Sequence, residues 1–202
     1  MKGLLLKDIL NFKKQGLMFL FLIALWFFIG IKNKDMYYLS GIIAMMTLLV
    51  PITVISYDEK AKWERYALTM PISKGTVVVS RYLLTIAISV VGGVFSIIAG
   101  LMISTSIKEV LFTNMSVISI GLLIIAFAFP FIFKYGVEKG RLIMIFIFLI
   151  PTLVFTFASE FNIPMLSEKV IMQLVYFLPL ITLVIIICSI QVSKMIYSKK
   201  EF

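Results

Sequence analysis

Ser56-Tyr57-Asp58-Glu59-Lys60-Ala61-Lys62-Trp63-Glu64-Arg65-Tyr66-Ala67-Leu68-Thr69-Met70-Pro71 separates two apolar runs, Met36–Tyr57 before it and Tyr82–Ile107 after it. Six of its residues are charged, in a chain where only 14% of residues are. Ser56 followed three positions later by Glu59 reads as a capping box, and Pro71 is a stop that pushes Met70 out of helical geometry. Trp63, Tyr66 and Met70 fall at i, i+3 and i+7 and share one face; Asp58, Lys62, Arg65 and Thr69 lie on the other. The segment is thus predicted to be a short amphipathic helix over residues 57–71, held between membrane spans. Such a helix suits a membrane subunit that a soluble motor must push. The same pattern also fits an interfacial helix on the lipid headgroups, anchored by Trp63 and Tyr66.

Working outward, composition sets the class. The chain is 61% hydrophobic with a mean hydropathy of +1.10, well above the roughly 45–50% apolar share of soluble domains. Six stretches free of Asp, Glu, Lys and Arg reach, or nearly reach, the ~17–25 residues that a spanning helix needs. They are Gln15–Ile31, Met36–Tyr57, Tyr82–Ile107, Val110–Phe133, Leu142–Ser159 and Val170–Ser193. The expected fold is all-α: one polytopic membrane domain over 1–202 with six transmembrane helices.

Charge orients it. With the N-terminus placed in the cytoplasm, fifteen Lys and Arg fall on the inner side and four on the outer, and the acids divide six to four. The inner face then carries the whole net charge of +9 and the outer face none. By the positive-inside rule both termini are cytoplasmic, and an anionic inner leaflet accounts for the basic balance without any nucleic acid. The first apolar stretch runs into Ile31-Lys32-Asn33-Lys34-Asp35 rather than a small-residue cleavage site, so it reads as a span and not a cleaved leader.

The N-terminus, residues 1–14, reads as a second amphipathic helix. Leu5, Ile9 and Phe12 form one face, and Lys7, Asn11 and Lys14 the other, with Lys2 and Lys13 intruding on the apolar side. It is expected to lie along the inner membrane surface and to turn into the first span at Gly16. In the third span Gly92, Ser96, Gly100 and Ser104 recur every four residues, a small-residue row that lets a neighbouring helix come close. Pro51, Pro130, Pro151 and Pro179 interrupt four other spans. The outer loops are short, and Glu160–Lys169, with Pro164, has the makings of a helical hairpin dipping into the headgroups.

Several chemistries are excluded. Histidine is absent, and the single cysteine, Cys188, lies within the last apolar stretch, so no metal site or disulfide framework is expected. No ionisable residue lies mid-span, which argues against proton relay, voltage sensing and coupled ion transport. No H-E-x-x-H or phosphate-binding G-x-x-x-x-G-K-[ST] occurs. What remains is an apolar lining rich in Phe and Met, with 18 and 12 copies. Phe127, Phe129, Phe131 and Phe133, with Phe146, Phe148, Phe155 and Phe157, crowd the fourth and fifth spans and are expected mostly to face lipid. An adaptable apolar path of this kind suits hydrophobic or amphipathic cargo.

The opening Met1-Lys2-Gly3-Leu4-Leu5-Leu6-Lys7-Asp8 and the segment Tyr57–Lys74, with Tyr-Asp-Glu-Lys, Trp-Glu-Arg-Tyr and Pro71, resemble the small six-span permeases of type-2 ABC exporters. The likeness extends over the whole chain in length and span count and is specific at 57–71. It implies that residues 1–14 are an elbow helix and 57–71 a coupling helix. Asp58, Glu59, Lys60, Trp63, Glu64, Arg65 and Tyr66 would then dock on a separate cytoplasmic ATPase subunit, and a second permease copy or paralogue would complete the pore. ATP and Mg would be bound by the partner, so the chain would be no enzyme and hold no cofactor. Within that family it is similar to permeases that export phenol-soluble modulins, implying a bacterial cell membrane and amphipathic peptide cargo, with antimicrobial-peptide exporters close behind. The alternative is a stand-alone immunity protein that binds a peptide without a motor.

Overall fold

The computed structural model describes residues 2–34, 37–67, 69, 72–103, 106–161 and 167–200. They form seven helices: α1 (Lys2–Asn33), α2 (Tyr37–Lys60), α3 (Trp63–Ala67), α4 (Lys74–Ile103), α5 (Ile107–Tyr135), α6 (Val137–Glu160) and α7 (Glu168–Ser198). No strand occurs among the described residues. Five helices are long and apolar enough to cross a membrane, over Gly16–Asn33, Tyr37–Lys60, Lys74–Met102, Ile107–Tyr135 and Met172–Ser198. The expectation was six. The missing one is α6, a 24-residue helix that covers Leu142–Ser159 but includes residues whose side chains lie outside those described.

Three expected boundaries move, each for the same reason. Inside a bilayer a broken helix leaves N–H and C=O groups without partners, so helices persist until water or another partner can satisfy them. Hence α1 runs unbroken through Gly16, where a turn was expected. A single interior glycine costs only about 0.5–1 kcal/mol relative to alanine, and no proline lies in α1. Likewise α2 continues through Ser56 to Lys60, so Ser56 and Glu59 do not form a capping box. It stops where Ala61 and Lys62 turn the chain, Lys62 taking the left-handed conformation at φ 50° that commonly ends helices. Of the expected helix over 57–71, residues 57–60 belong to α2 and 63–67 form α3, while 68, 70 and 71 lie outside the described residues. At about 1.5 Å per residue, the 30 residues of α4 overrun the ~30 Å hydrocarbon core. The overrun begins eight residues before the expected start at Tyr82.

The start of α1, the end of α2, α3, the start of α4, the end of α5, the start of α6 and the end of α7 gather at one end of the bundle. Contacts between them tie this end together. Lys74 Nζ donates to the terminal α7 carbonyl of Ser198 at 3.2 Å and to that of Lys200 at 2.7 Å, a cation placed where a helix C-terminus favours one. Ser73 Oγ accepts from Thr76 N and caps α4. Gly136, at φ 86°, closes α5 and opens α6.

Above this end the core joins α2, α4, α5 and α7. Tyr82, Phe129, Phe133 and Tyr197 form a continuous ladder of rings, with centroids 4.8, 5.7 and 5.5 Å apart in turn. Tyr82 also exchanges hydrogen bonds with Ser189 at 2.6 Å and Ser193 at 2.8 Å, pinning α4 to α7. Phe129 and Phe133 are therefore core residues, against the expectation of lipid contact, whereas Phe127 and Phe131 are exposed. At the opposite end Ser40 meets Ser96 and donates to Asn114 Oδ1, all three buried, linking α2, α4 and α5. The small-residue row faces α2: a Cβ on Gly92 would lie 2.6 Å from Ile43 Cγ2. Gly100 is buried and Ser104 lies outside the described residues. α5 approaches α2 closely at Gly121, whose added Cβ would sit 3.3 Å from the backbone of Ala44.

Candidate functional site

The charged end holds a cluster of four ionic groups from three helices: Lys7 and Asp8 on α1, Asp58 on α2 and Arg81 on α4. Helical geometry accounts for its assembly. Leu4 and Asp8, one turn apart, form the buried side of the start of α1. Asp58 sits in the last turn of α2, and Arg81 two turns into α4, because both helices outrun their apolar runs. Asp8 is fully buried, Arg81 3% exposed and Asp58 4% exposed. The Arg81 guanidinium bridges both carboxylates, one nitrogen on Asp8 and the other on Asp58. Lys7 Nζ lies 2.6 Å from Asp58 Oδ2 and 3.4 Å from Asp8 Oδ1.

Two cations on two carboxylates leave the cluster neutral, the condition under which buried charges are tolerated. The two acids are held differently. Asp58 accepts hydrogen bonds from Lys7 and Arg81. Asp8 is held by ion-pair proximity, and neither of its oxygens has an aligned hydrogen-bond donor among the described residues.

The cluster reaches α3 through Lys7. Its ammonium stands 3.4 Å from the centroid of the Trp63 ring, within cation–π range. Trp63 is half-buried and packs against the core of α2, α4, α5 and α7. Next to Asp58, Glu59 faces the other way. Its two carboxylate oxygens accept from Val137 N at 3.1 and 3.0 Å, capping α6 across the α5–α6 corner.

These contacts redistribute the expected docking residues. Asp58 joins the cluster, Glu59 caps α6, and the Trp63 ring packs on Lys7 and the core, so all three have partners within the bundle. Lys60, Lys62 and Tyr66 are exposed, Tyr66 at 66%. Trp63 and Tyr66 thus part company, although spacing put them on one face. The side chains of Glu64 and Arg65 lie outside the described residues, as do those of Leu5, Ile9, Phe12, Lys13 and Lys14 from the membrane-surface set. Lys7, expected on the polar face of that set, points instead into the bundle. Asp8 and Arg81 were missed as site residues; the signal was an acid in a lysine-rich segment and a lone arginine at the lip of an apolar run.

Residues 3–198 match the family described as ABC-2 family transporter protein. The chain belongs to that family. It is a multi-pass membrane subunit of an ABC-2 type transporter, a permease without ATPase activity of its own. ABC-2 permeases pair with ATPase subunits. No curated protein and no solved structure matches the chain. Among the described residues no group of His, Cys, Asp and Glu is arranged to hold a metal.

Proposed function

We propose that this ABC-2 subunit is the permease of a bacterial exporter of amphipathic, membrane-active peptides, and that α3 is the element its ATPase subunit grips. In this reading α6 is the remaining crossing, both termini are cytoplasmic, and two permeases pair around the path. The observation that carries it is the two-sidedness of the segment from the end of α2 through α3. Lys60, Lys62 and Tyr66 face out, while Trp63, one turn from Tyr66, is seated on buried charge and core. A passive interfacial helix needs its aromatic residues in the headgroups; here one of the two is withdrawn into the protein. Glu64 and Arg65 belong to the same proposed surface by sequence.

The cargo reading rests on the spans. Outside the cluster, their faces present Leu, Ile, Phe and Met, as at Leu17, Phe21 and Phe28 of α1 and Ile145, Phe146 and Phe157 of α6. A polar, highly charged cargo would cross such a path unpaired, at a cost of several kcal/mol per charge. An amphipathic helix can keep its charges in water or at the headgroups. Membership in a motor-driven family gives no support to the motor-less immunity reading.

Docking is tested by co-purifying the ATPase subunit with a Lys60→Glu/Tyr66→Ala permease. Loss of most of the ATPase, with the permease still in the membrane, is the expected result. Retention at the wild-type level would remove α3 as the docking element.

A further inference from the structure

We infer that Lys7 is a positioning residue that carries displacement of α3 into α1, with Arg81 as the fixed point of the cluster. The inference rests on the docking reading above and names the link that lies behind it.

The four charges are unequal. Arg81 is 3% exposed and holds one nitrogen on each carboxylate, so it ties α4 to α1 and α2 at once. Lys7 is the most accessible member, its side chain 24% exposed, and it touches α3 through the Trp63 ring. A planar guanidinium gripping two acids is geometrically fixed; an ammonium on a flexible stem is a point charge that can follow a moving ring. Trp63 and Ala67 are the described α3 side chains that face inward, so a push on Tyr66 from outside arrives at the Trp63 ring.

Charge balance makes the link stiff. If α3 moved and α1 stayed, Lys7 would have to leave either the Trp63 ring or Asp58. In the second case two buried carboxylates would share Arg81, and Asp8, which has no aligned hydrogen bond, would be least compensated. A small shift of the start of α1 with α3, pivoting about the Asp8–Arg81 pair, keeps Lys7 on both the Trp63 ring and Asp58. Coupling of this kind needs a contiguous chain of packed contacts, and here it runs from Trp63 to Lys7, Asp8 and Asp58, and on to Arg81.

The test uses the permease–ATPase complex with spin labels at Leu6→Cys on α1 and Tyr135→Cys at the end of α5, both exposed positions, in a Cys188→Ser background and diluted with unlabelled permease. The label distance is read without nucleotide and with a non-hydrolysable ATP analogue. The variants are Lys7→Met, which keeps the length but loses the charge, and Lys7→Arg, which keeps the charge and the ring contact. Lys139→Met, at an exposed lysine on α6, is the control.

The expected result is a nucleotide-dependent shift in wild type and Lys139→Met, lost in Lys7→Met and restored in Lys7→Arg, with the ATPase bound throughout. A full shift in Lys7→Met overturns the inference. So does loss of the ATPase from Lys7→Met, which would make the cluster part of the docking surface itself. Failure of the docking reading appears separately, as retention of the ATPase by Lys60→Glu/Tyr66→Ala.

Discussion

Replacing Arg81 with methionine removes the group that holds both buried carboxylates. Asp8 and Asp58 would remain, 0% and 4% exposed, against Lys7 alone, leaving one uncompensated negative charge in the packed end of the bundle. Removing one partner of a buried ion pair costs about 3–5 kcal/mol. For a chain of this size each kcal/mol moves the melting temperature by about 2–4 °C, so Arg81→Met is expected to melt on the order of 10 °C below wild type. The sign of the second substitution makes the argument specific. Adding Asp58→Asn leaves Lys7 with Asp8, one cation to one acid, and should recover at least half of the loss even though it deletes a further ion pair. Thermal unfolding of the detergent-solubilised permease, followed by tryptophan fluorescence, reads both variants, and Trp63 lies against the cluster. A double variant no more stable than Arg81→Met would refute the charge-balance account. So would an Arg81→Met protein that melts with the wild type.

Gly121→Leu should destabilise the α2–α5 crossing by about 1–3 kcal/mol through overpacking, because the nearest atoms to a new Cβ include the Ala44 backbone. Gly41→Leu, where a Cβ meets nothing within 4 Å, is the control, and the same melting assay separates them. Tyr82→Phe leaves Ser189 and Ser193 without the shared hydroxyl and should cost about 1–2 kcal/mol, visible as a lower melting temperature with the ring ladder still packed. Glu59→Ala removes the cap on Val137 N and should cost about 1 kcal/mol; faster amide exchange confined to the first turn of α6 is the measurement, and unchanged exchange there would remove Glu59 as its cap.

The spans were legible because apolar runs and their charged borders are written locally. Val110–Phe133 falls inside α5 and residues 37–57 of the second stretch inside α2, and of the small-residue row Gly92 lies against Ile43 and Ser96 against Ser40. What stayed hidden depends on partners distant in sequence. Ser56 and Glu59 have the spacing of a capping box, but Glu59 caps α6 from 78 residues away. Arg81 and Asp8 looked like two more cytoplasmic charges, because nothing local says that three helices will overrun their apolar segments and close on one another. Trp63 and Tyr66 share a face by periodicity, yet Trp63 turns in, onto Lys7 and the core, through contacts with residues distant in sequence. Phe129 and Phe133 are indistinguishable from Phe127 and Phe131 by composition; their phase on α5 puts them among the α4 and α7 rings.

Chain order gives the ionic cluster a consequence for biogenesis. Lys7, Asp8 and Asp58 are synthesised before Arg81. Until α4 joins α1 and α2, the two carboxylates have a single ammonium between them, so the pair lacks the charge balance it has in the finished protein. The arrival of Arg81, two turns into α4, converts the pair of helices into a neutral three-helix unit. The first helix of this permease is therefore locked in place by the fourth.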